Sequence, residues 1–323
     1  MKKLLSIAIA AAVAAPMAVS ADTTIYGLID NALVHTDSGA TDSWDVQQGN
    51  GSSRFGVKGS EDLGNGMKAI FQYEWGTNTS EGPSSATTNP FWNRLAYVGL
   101  AGNFGTVAIG RQWNPYYGAV GKDNIMNYGG SHNTYSYWNG NGASTYRVGN
   151  ALAYMSPNMS GFSAQFAVIA DAAANTDDGA DGIAFAVKYD NGPLNVGLGY
   201  TALEGTTATA AVTPNLVNGD GIANTIGSEA VAATADIDQW GLGAKYNFGN
   251  FAIVGRYENV DTGASNDYET FALGAEAYFG NNTLRVIYAE GETDNKSVDK
   301  EQFGLGIQHN FSKRTRVYAE YNN

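Results

Sequence analysis

The chain contains no cysteine, which excludes a disulfide framework and any thiolate metal site. Histidine is scarce, with 3 residues, and proline nearly so, with 7 in 323. Few histidines leave little material for imidazole metal ligation or general-base chemistry. Few prolines leave long stretches free to run as strands. Positive charge is also in short supply: 18 Lys and Arg against 31 Asp and Glu give a formal net charge of −13. That balance argues against nucleic acid as a partner. Beyond residue 21 no apolar run approaches the roughly 18 residues of a membrane helix. Stability must come from a packed core or from a sheet that closes on itself.

The first residues read as a targeting segment. Lys2 and Lys3 form a basic start, Leu4 to Val19 a short apolar stretch interrupted by Pro16, and Val19-Ser20-Ala21 the small residues a signal peptidase needs. The expectation is a secretory signal over residues 1–21, cleaved after Ala21, with one barrel domain over 22–323.

What is abundant is glycine, 41 residues, and tyrosine, 19. From Ile25 onward the dominant period is two. In 66–75, Met67, Ala69, Phe71, Tyr73 and Trp75 oppose Lys68, Ile70, Gln72 and Glu74. In 238–248, Trp240, Leu242, Ala244, Tyr246 and Phe248 oppose Gln239, Gly241, Gly243, Lys245 and Asn247. One face is apolar and the other polar or tiny, strand after strand. The apolar faces end repeatedly in aromatics (Trp75, Tyr189, Tyr200, Phe248, Tyr257, Phe279, Phe311), which suits aromatic girdles at a membrane surface.

The pattern predicts strands near 24–35, 53–61, 66–75, 93–101, 105–112, 146–155, 161–169, 182–189, 194–201, 237–248, 251–260, 268–279, 283–290, 301–311 and 315–321. Short connections alternate with mostly long ones at 36–52, 76–92, 113–145, 170–181, 202–236, 261–267 and 291–300. Short turns on one rim and long loops on the other is the organisation of a bacterial outer-membrane barrel. The fold class is all-β, a transmembrane antiparallel β-barrel, with the long loops outside the cell. Loop 202–236, rich in Ala, Thr and Val, reads as a surface excursion.

Specific blocks carry a resemblance. SSRFGVKGSEDLGNGMKAIFQYEW (52–75) closely resembles the second and third strands of Gram-negative general porins, which are trimeric sixteen-strand barrels. NRLAYVGL (93–100), FGTVAIGRQW (104–113) and YRVGNALAYMSPNMSGFSAQF (146–166) are similar to further strands of that family. TTIYGLID (23–30) resembles the first strand, and SKRTRVYAEY (312–321) the penultimate one. Such porins end in a closing strand with a terminal aromatic. Here the last residue is Asn323, so the expectation is that a closing strand is missing. The resemblance implies a passive channel for ions and small polar solutes, a homotrimer with loop 76–92 as latch, and residence in the outer membrane. It also implies that the third long loop, 113–145, folds inward.

Alternation places the candidate pore residues. Arg54 shares a face with Lys58, opposite Phe55 and Val57, and should meet the lumen. Arg94 faces away from Leu95 and Tyr97, and Arg147 away from Leu152 and Tyr154. In the resembled family, basic residues at these positions form a cluster on the wall, faced by acids of the inward loop. Asp123 is the only carboxylate in 113–145. The expected constriction is therefore Arg54, Arg94, Arg147, Lys58 and Asp123, with Asp30, Lys68 and Glu74 lining the pore. The competing reading is that the arginines simply pair with inward acids such as Asp30, Asp62 or Glu74. Lys188, Lys245, Arg256, Arg285 and Arg316 also read as inward. Arg111 shares the parity of Val107 and Ile109, nominally the lipid face, near its strand end.

The aromatic residues of 113–145 (Tyr116, Tyr117, Tyr128, Tyr135, Tyr137, Trp138) could guide sugars, but packing the loop against the wall is the favoured reading. Ser131-His132-Asn133 supplies the side-chain types of outer-membrane phospholipases. Adjacent residues cannot converge as nucleophile, base and orienter, so no enzyme, cofactor or metal is expected. Two alternatives to general diffusion stay open: a substrate-selective porin, and a barrel serving as surface adhesin or phage receptor.

Overall fold

The computed structural model describes residues 22–37, 39, 42–49, 53–77, 79–80, 91–122, 124–127, 146–170, 180–204, 216–217, 223–224, 236–261, 267–293 and 299–323. The expected signal segment, residues 1–21, lies outside the described residues.

In chain order the strands are β1 (Asp22–Leu28), β2 (Asn31–Asp37), β3 (Asp42–Gln48), β4 (Arg54–Gly64), β5 (Met67–Thr77), β6 (Phe91–Gly102), β7 (Gly105–Trp113), β8 (Arg147–Met155), β9 (Phe162–Ala170) and β10 (Ala180–Asn191). They continue as β11 (Leu194–Leu203), β12 (Leu216–Val217), β13 (Ala223–Asn224), β14 (Ile237–Asn247), β15 (Phe251–Asp261), β16 (Tyr268–Phe279), β17 (Asn282–Thr293), β18 (Asp299–Asn310) and β19 (Arg316–Asn322). One short helix, α1 (Pro115–Val120), follows β7.

Fifteen of these strands form one sheet in the order β1-β4-β5-β6-β7-β8-β9-β10-β11-β14-β15-β16-β17-β18-β19. Every neighbour in it is antiparallel to the next, as in the Leu242↔Tyr257 and Leu273↔Tyr288 pairs. The other four strands pair locally, β2 with β3 and β12 with β13.

The sheet is inside out relative to a soluble sandwich. Its apolar face is the exposed one: Leu242, Ile253, Leu273, Leu305 and Ile307 all stand 43–50 % exposed. Its other face buries Gln239, Arg256, Glu258, Thr270, Glu276 and Gln302. Lipid, not protein, is the solvent that suits such an exterior, and a barrel satisfies its backbone there strand to strand. Aromatics gather at both ends of the apolar band. At the long-loop end Phe55 stacks on Trp75 at 5.8 Å, and Trp240 tilts against Tyr257 at 5.3 Å. At the short-turn end Phe248 lies on Phe251 at 4.4 Å, and Phe162 meets Tyr189 at 4.5 Å.

The sheet curls far enough to bring its two ends together. The Tyr318 hydroxyl of β19 donates to Asp30 Oδ1, just past β1, at 2.9 Å. These residues are 288 apart in sequence.

Two expectations need correction. The run 24–35 is not one strand: β1 stops at Leu28, and β2 leaves the sheet. Around Asp30 the chain is pinned, its N–H donating to Ser53 Oγ at 3.0 Å and its carbonyl accepting from Gly49 N–H at 2.9 Å. That anchor turns the chain into a hairpin, so 36–52, read as plain loop, contains most of a second ladder. Its Leu33↔Val46 and His35↔Trp44 pairs sit on one exposed face. Loop 202–236 likewise contains the small β12–β13 ladder.

Candidate functional site: two walls of a pore

The polar face of the barrel divides into two unlike walls. On the first, β1, β4, β5 and β6 assemble a charged network around Glu74. Arg94 Nε reaches Glu74 Oε1 at 2.6 Å, and Arg54 Nε stands 3.5 Å from Oε2. Tyr26 donates its hydroxyl to Glu74 Oε2 at 2.9 Å and accepts from Gln72 Nε2 at 2.6 Å. Tyr97 closes the chain by donating to Gln72 Oε1 at 2.9 Å. Strand alternation explains why these side chains meet, since Glu74 and Gln72 share a face of β5 and Tyr97 lies directly across from Gln72.

Arg147, at the start of β8, belongs to the same wall. Its guanidinium lies 4.0 Å from the Trp113 ring centroid, a cation–π contact that holds the charge without neutralising it. Among the described residues, three guanidiniums therefore face two carboxylates, Glu74 at the centre and Asp30 beside Arg54. All three lie in the long-loop half of the barrel, because each opens a strand that follows a long loop.

The three arginines differ in what they offer a solute. Arg94 is buried and committed to Glu74 in an ion pair whose two side chains are 7 % and 6 % exposed. Arg54 keeps 29 % of its side-chain surface exposed. Lys58 is exposed, its ammonium 5.5 Å from the centroid of the Tyr26 ring. Asp62 caps its own turn by accepting from Gly64 N–H at 2.8 Å. Lys68 sits across from Asp62 near the short-turn rim. Asp30 lies between β1 and β19, bonded to Ser53 beside Arg54 and close enough to Arg54 for their charges to interact. Arg111 donates from Nε to the Asn93 carbonyl at 3.2 Å and pairs in register with Ala96, on the apolar face. Asp123 and the Ser131-His132-Asn133 segment lie outside the described residues.

The second wall is flat where the first is charged. Gly197 and Gly199 on β11 and Gly241 and Gly243 on β14 form a square, Gly197 opposite Gly243 and Gly199 opposite Gly241. Helix α1 lies directly on it. A Cβ at Gly197 would overlap the Ala119 backbone, and one at Gly243 the Val120 carbonyl. Those at Gly199 and Gly241 would press on Tyr116 and Val120. Only glycine lets the helix backbone approach so closely.

The helix is built for that seat. Asn114 caps it by accepting from Tyr116 N–H at 2.9 Å, Pro115 supplies the first turn, and Gly121 N–H closes on the Tyr117 carbonyl at 3.1 Å. Tyr116 is fully buried, and its hydroxyl donates to Glu258 Oε2 at 2.5 Å. Gln239 Nε2 donates to the same oxygen at 2.8 Å, and Arg256 Nη1 lies 3.3 Å from it.

Beyond the helix the segment keeps to the inner wall. Ile125 and Met126 pack against Val254 and Ile287, beside Gly274, Gly304 and Gly306. Asn127 then donates from its backbone N–H and its side chain to Glu320 Oε1 of β19, at 2.7 and 3.1 Å. Residues 114–122 and 124–127 thus follow the polar face from β11 to β19 and stand between that wall and the lumen.

Strand alternation put Arg54, Lys58 and Glu74 on the polar face, where the structure has them. Arg94 reaches Glu74 there too, but the expectation that it faces away from Tyr97 needs correction: Tyr97 meets Gln72 on the same face, and a register shift between Glu74 and Trp75 interrupts the alternation at Arg94. A second shift, between Gly110 and Gln112, separates Arg147 from the alternation of Leu152 and Tyr154. Sequence reasoning also read Tyr116 as packing, as found. It missed Glu258 and the glycine square. The signal for the square was present: two adjacent strands each carrying Gly-x-Gly at inward parity, a face too small to line an open pore.

A curled antiparallel sheet with an apolar exterior, a charged inner wall and a segment folded across the opposite wall is a channel geometry. Comparison with known proteins agrees. A family model described as Gram-negative porin matches residues 7–323. Outer membrane porin protein 32 of Delftia acidovorans is 31% identical, covering 98% of this chain and 88% of that protein. Major outer membrane protein P.IB of Neisseria meningitidis serogroup B is 27% identical, covering 96% of this chain and 99% of the relative. Among solved structures, the anion-selective porin from Comamonas acidovorans superposes with a TM-score of 0.71 at 27% identity, covering 94% of this chain and 88% of that one. An OmpF of Salmonella typhi shares the fold, with a TM-score of 0.68 at 15% identity, covering 94% and 89%. The chain belongs to the Gram-negative porin family: it is an outer-membrane porin, a water-filled channel for passive diffusion of ions and small hydrophilic solutes, and not an enzyme.

Proposed function

We propose that this porin favours small anions at physiological salt, and that Arg54, Arg94 and Arg147 form the wall that sets the preference. The observation that carries the reading is the imbalance at Glu74: one carboxylate serves two arginines, and Arg147 rests on Trp113. The net local charge is positive although the whole chain is at −13. The Debye length is about 8 Å at 0.15 M salt, so acids on the outer loops are screened from a narrow passage inside. Groups at the passage then decide which ion enters. The solved neighbour described as anion-selective supports the same direction.

Within the wall we assign the field to Arg54 and Arg147, whose side chains are half-buried where that of Arg94 is buried. The test is the zero-current potential in a salt gradient across a planar bilayer. Replacing Arg54→Gln and Arg147→Gln together should move it toward cation preference, and no shift at physiological salt would remove these arginines from the role. Assembly as a homotrimer is the second part of the proposal. It rests on family membership and on the broad exposed apolar band, and native mass measurement showing only monomers in mild detergent would count against it.

A further inference from the structure

A second group of basic side chains stands at the other end of the pore, on the other wall. Lys188 lies across from Gly197, and Gly197 faces α1, so Lys188 points to the polar face. Lys245 lies two residues beyond Gly243 on the same face of β14 and across from Asn195. Both are close to short turns, at the rim opposite the arginines. Between them the loop descends from α1: Val120 sits on Gly243, and Lys122 N–H donates to the Val120 carbonyl at 2.7 Å. Lys122 is thereby delivered into the field of Lys188, Lys245 and Asp190.

The acids here do not balance the bases. Glu276 takes Lys245 Nζ at 2.6 Å and Arg285 Nε at 3.2 Å, and accepts from the Tyr278 hydroxyl at 2.8 Å. Its capacity is used on β14 and β17. Asp190 is left to answer both Lys122 and Lys188. Among the described residues the group has four cations and two carboxylates, an excess of positive charge comparable with that of the arginine wall. Burial lowers the Lys122 pKa; Asp190 opposes that shift, while Lys188 and Lys245 add to it.

We infer that Lys122, Lys188 and Lys245 form a second anion-binding station at the short-turn mouth of the pore, suited to a small anion carrying two or more negative charges. A divalent or polyvalent anion can bridge Lys122 and Lys188, which have Asp190 between them, next to Lys245, whose ammonium Glu276 already holds. A monovalent ion gains from only one at a time. Two stations in series, arginines on one wall and lysines below the loop on the other, would let an anion be passed along without being trapped, the multi-site condition for conduction. The inference deepens the selectivity proposed above and rests on the same water-filled passage, but it concerns different residues and a different mouth.

The test uses the full-length protein in a planar bilayer, with inorganic pyrophosphate added to one side at a time as a blocker of chloride current. Pyrophosphate should block more strongly from the short-turn side. The variant carrying Lys122→Gln and Lys188→Gln should weaken that block by about tenfold, while block from the long-loop side and the sign of the zero-current potential are retained. A variant with Lys188→Arg should keep the block, which separates loss of charge from loss of fold. Equal block in the wild type and the double glutamine variant would overturn the lysine station, as would absence of any short-turn-side block in the wild type. A cation-preferring wild type that still showed lysine-dependent block would instead overturn the arginine reading and leave the station standing.

Discussion

The two walls of this pore are made by opposite uses of the same strand alternation. On β4, β5 and β6 the inward positions carry long charged side chains that reach into the passage and are tied by Glu74 and Tyr26. On β11 and β14 the inward positions carry glycine, and the wall is completed by a helix from elsewhere in the chain. The first wall supplies charge; the second supplies shape. Substitutions on the two walls should therefore separate selectivity from pore width.

The largest effect is expected on the shaped wall. Glu258 is fully buried and joins Tyr116, Gln239 and Arg256. Replacing Glu258→Gln removes the anion from a buried charge pair, a change that costs about 3 kcal/mol when one partner of such a pair is lost. The expected outcome is a lowered midpoint in heat-modifiability assays and unstable conductance levels, with the zero-current potential little changed. A shift in ion preference as large as that of the arginine variants would break the division between the walls.

Next comes Gly243→Val. The added side chain must displace the Val120 backbone, and overpacking of this kind costs roughly 1–3 kcal/mol. Single-channel conductance should change because α1 is moved off its seat. Unchanged conductance would mean that the helix does not limit the passage. Tyr116→Phe leaves the helix backbone on its seat. It deletes one hydrogen bond to Glu258, worth about 1.5–3 kcal/mol for a bond to a charged group, and should appear as added current noise without altered selectivity.

On the charged wall, Glu74→Gln sharpens the comparison from the other side. It removes the one carboxylate that Arg54 and Arg94 share. The zero-current potential should move toward stronger anion preference, opposite in sign to the Arg54 and Arg147 substitutions. A move toward cations would show that Glu74 serves only to position the arginines.

Much of this was legible in the sequence, and the exceptions have physical reasons. All fifteen barrel strands were readable because each must show lipid an apolar residue at every second position, a constraint that tertiary contacts do not override. The extent of β1 was not readable, because Leu28 to Asn31 keeps the alternation while the Asp30–Ser53 anchor turns the chain away. Helix α1 escaped because six residues are too few for a helical period, and its stability comes from the glycine square rather than from its own side chains. The face of Arg54 followed from parity. Those of Arg94 and Arg147 did not: Tyr97, which Arg94 was expected to face away from, itself meets Gln72 on the polar face, and register shifts at Glu74/Trp75 and Gly110/Gln112 interrupt the alternation beside the two arginines. Nor did parity show that Arg94 is committed to Glu74, since it gives a direction and not a partner. Lys122 lay in a loop, where no alternation exists to place it.

The central claim is that charges at the passage outrank the charge of the whole molecule. The direct test is the zero-current potential of the unmodified porin in a potassium chloride gradient, measured at two ionic strengths. Near 0.15 M the screening length is about 8 Å and the arginine wall should dominate, giving anion preference; near 0.01 M it grows to about 30 Å, and the loop acids should pull the potential toward cations. Cation preference already at 0.15 M, or a preference that does not change with salt, would contradict the account.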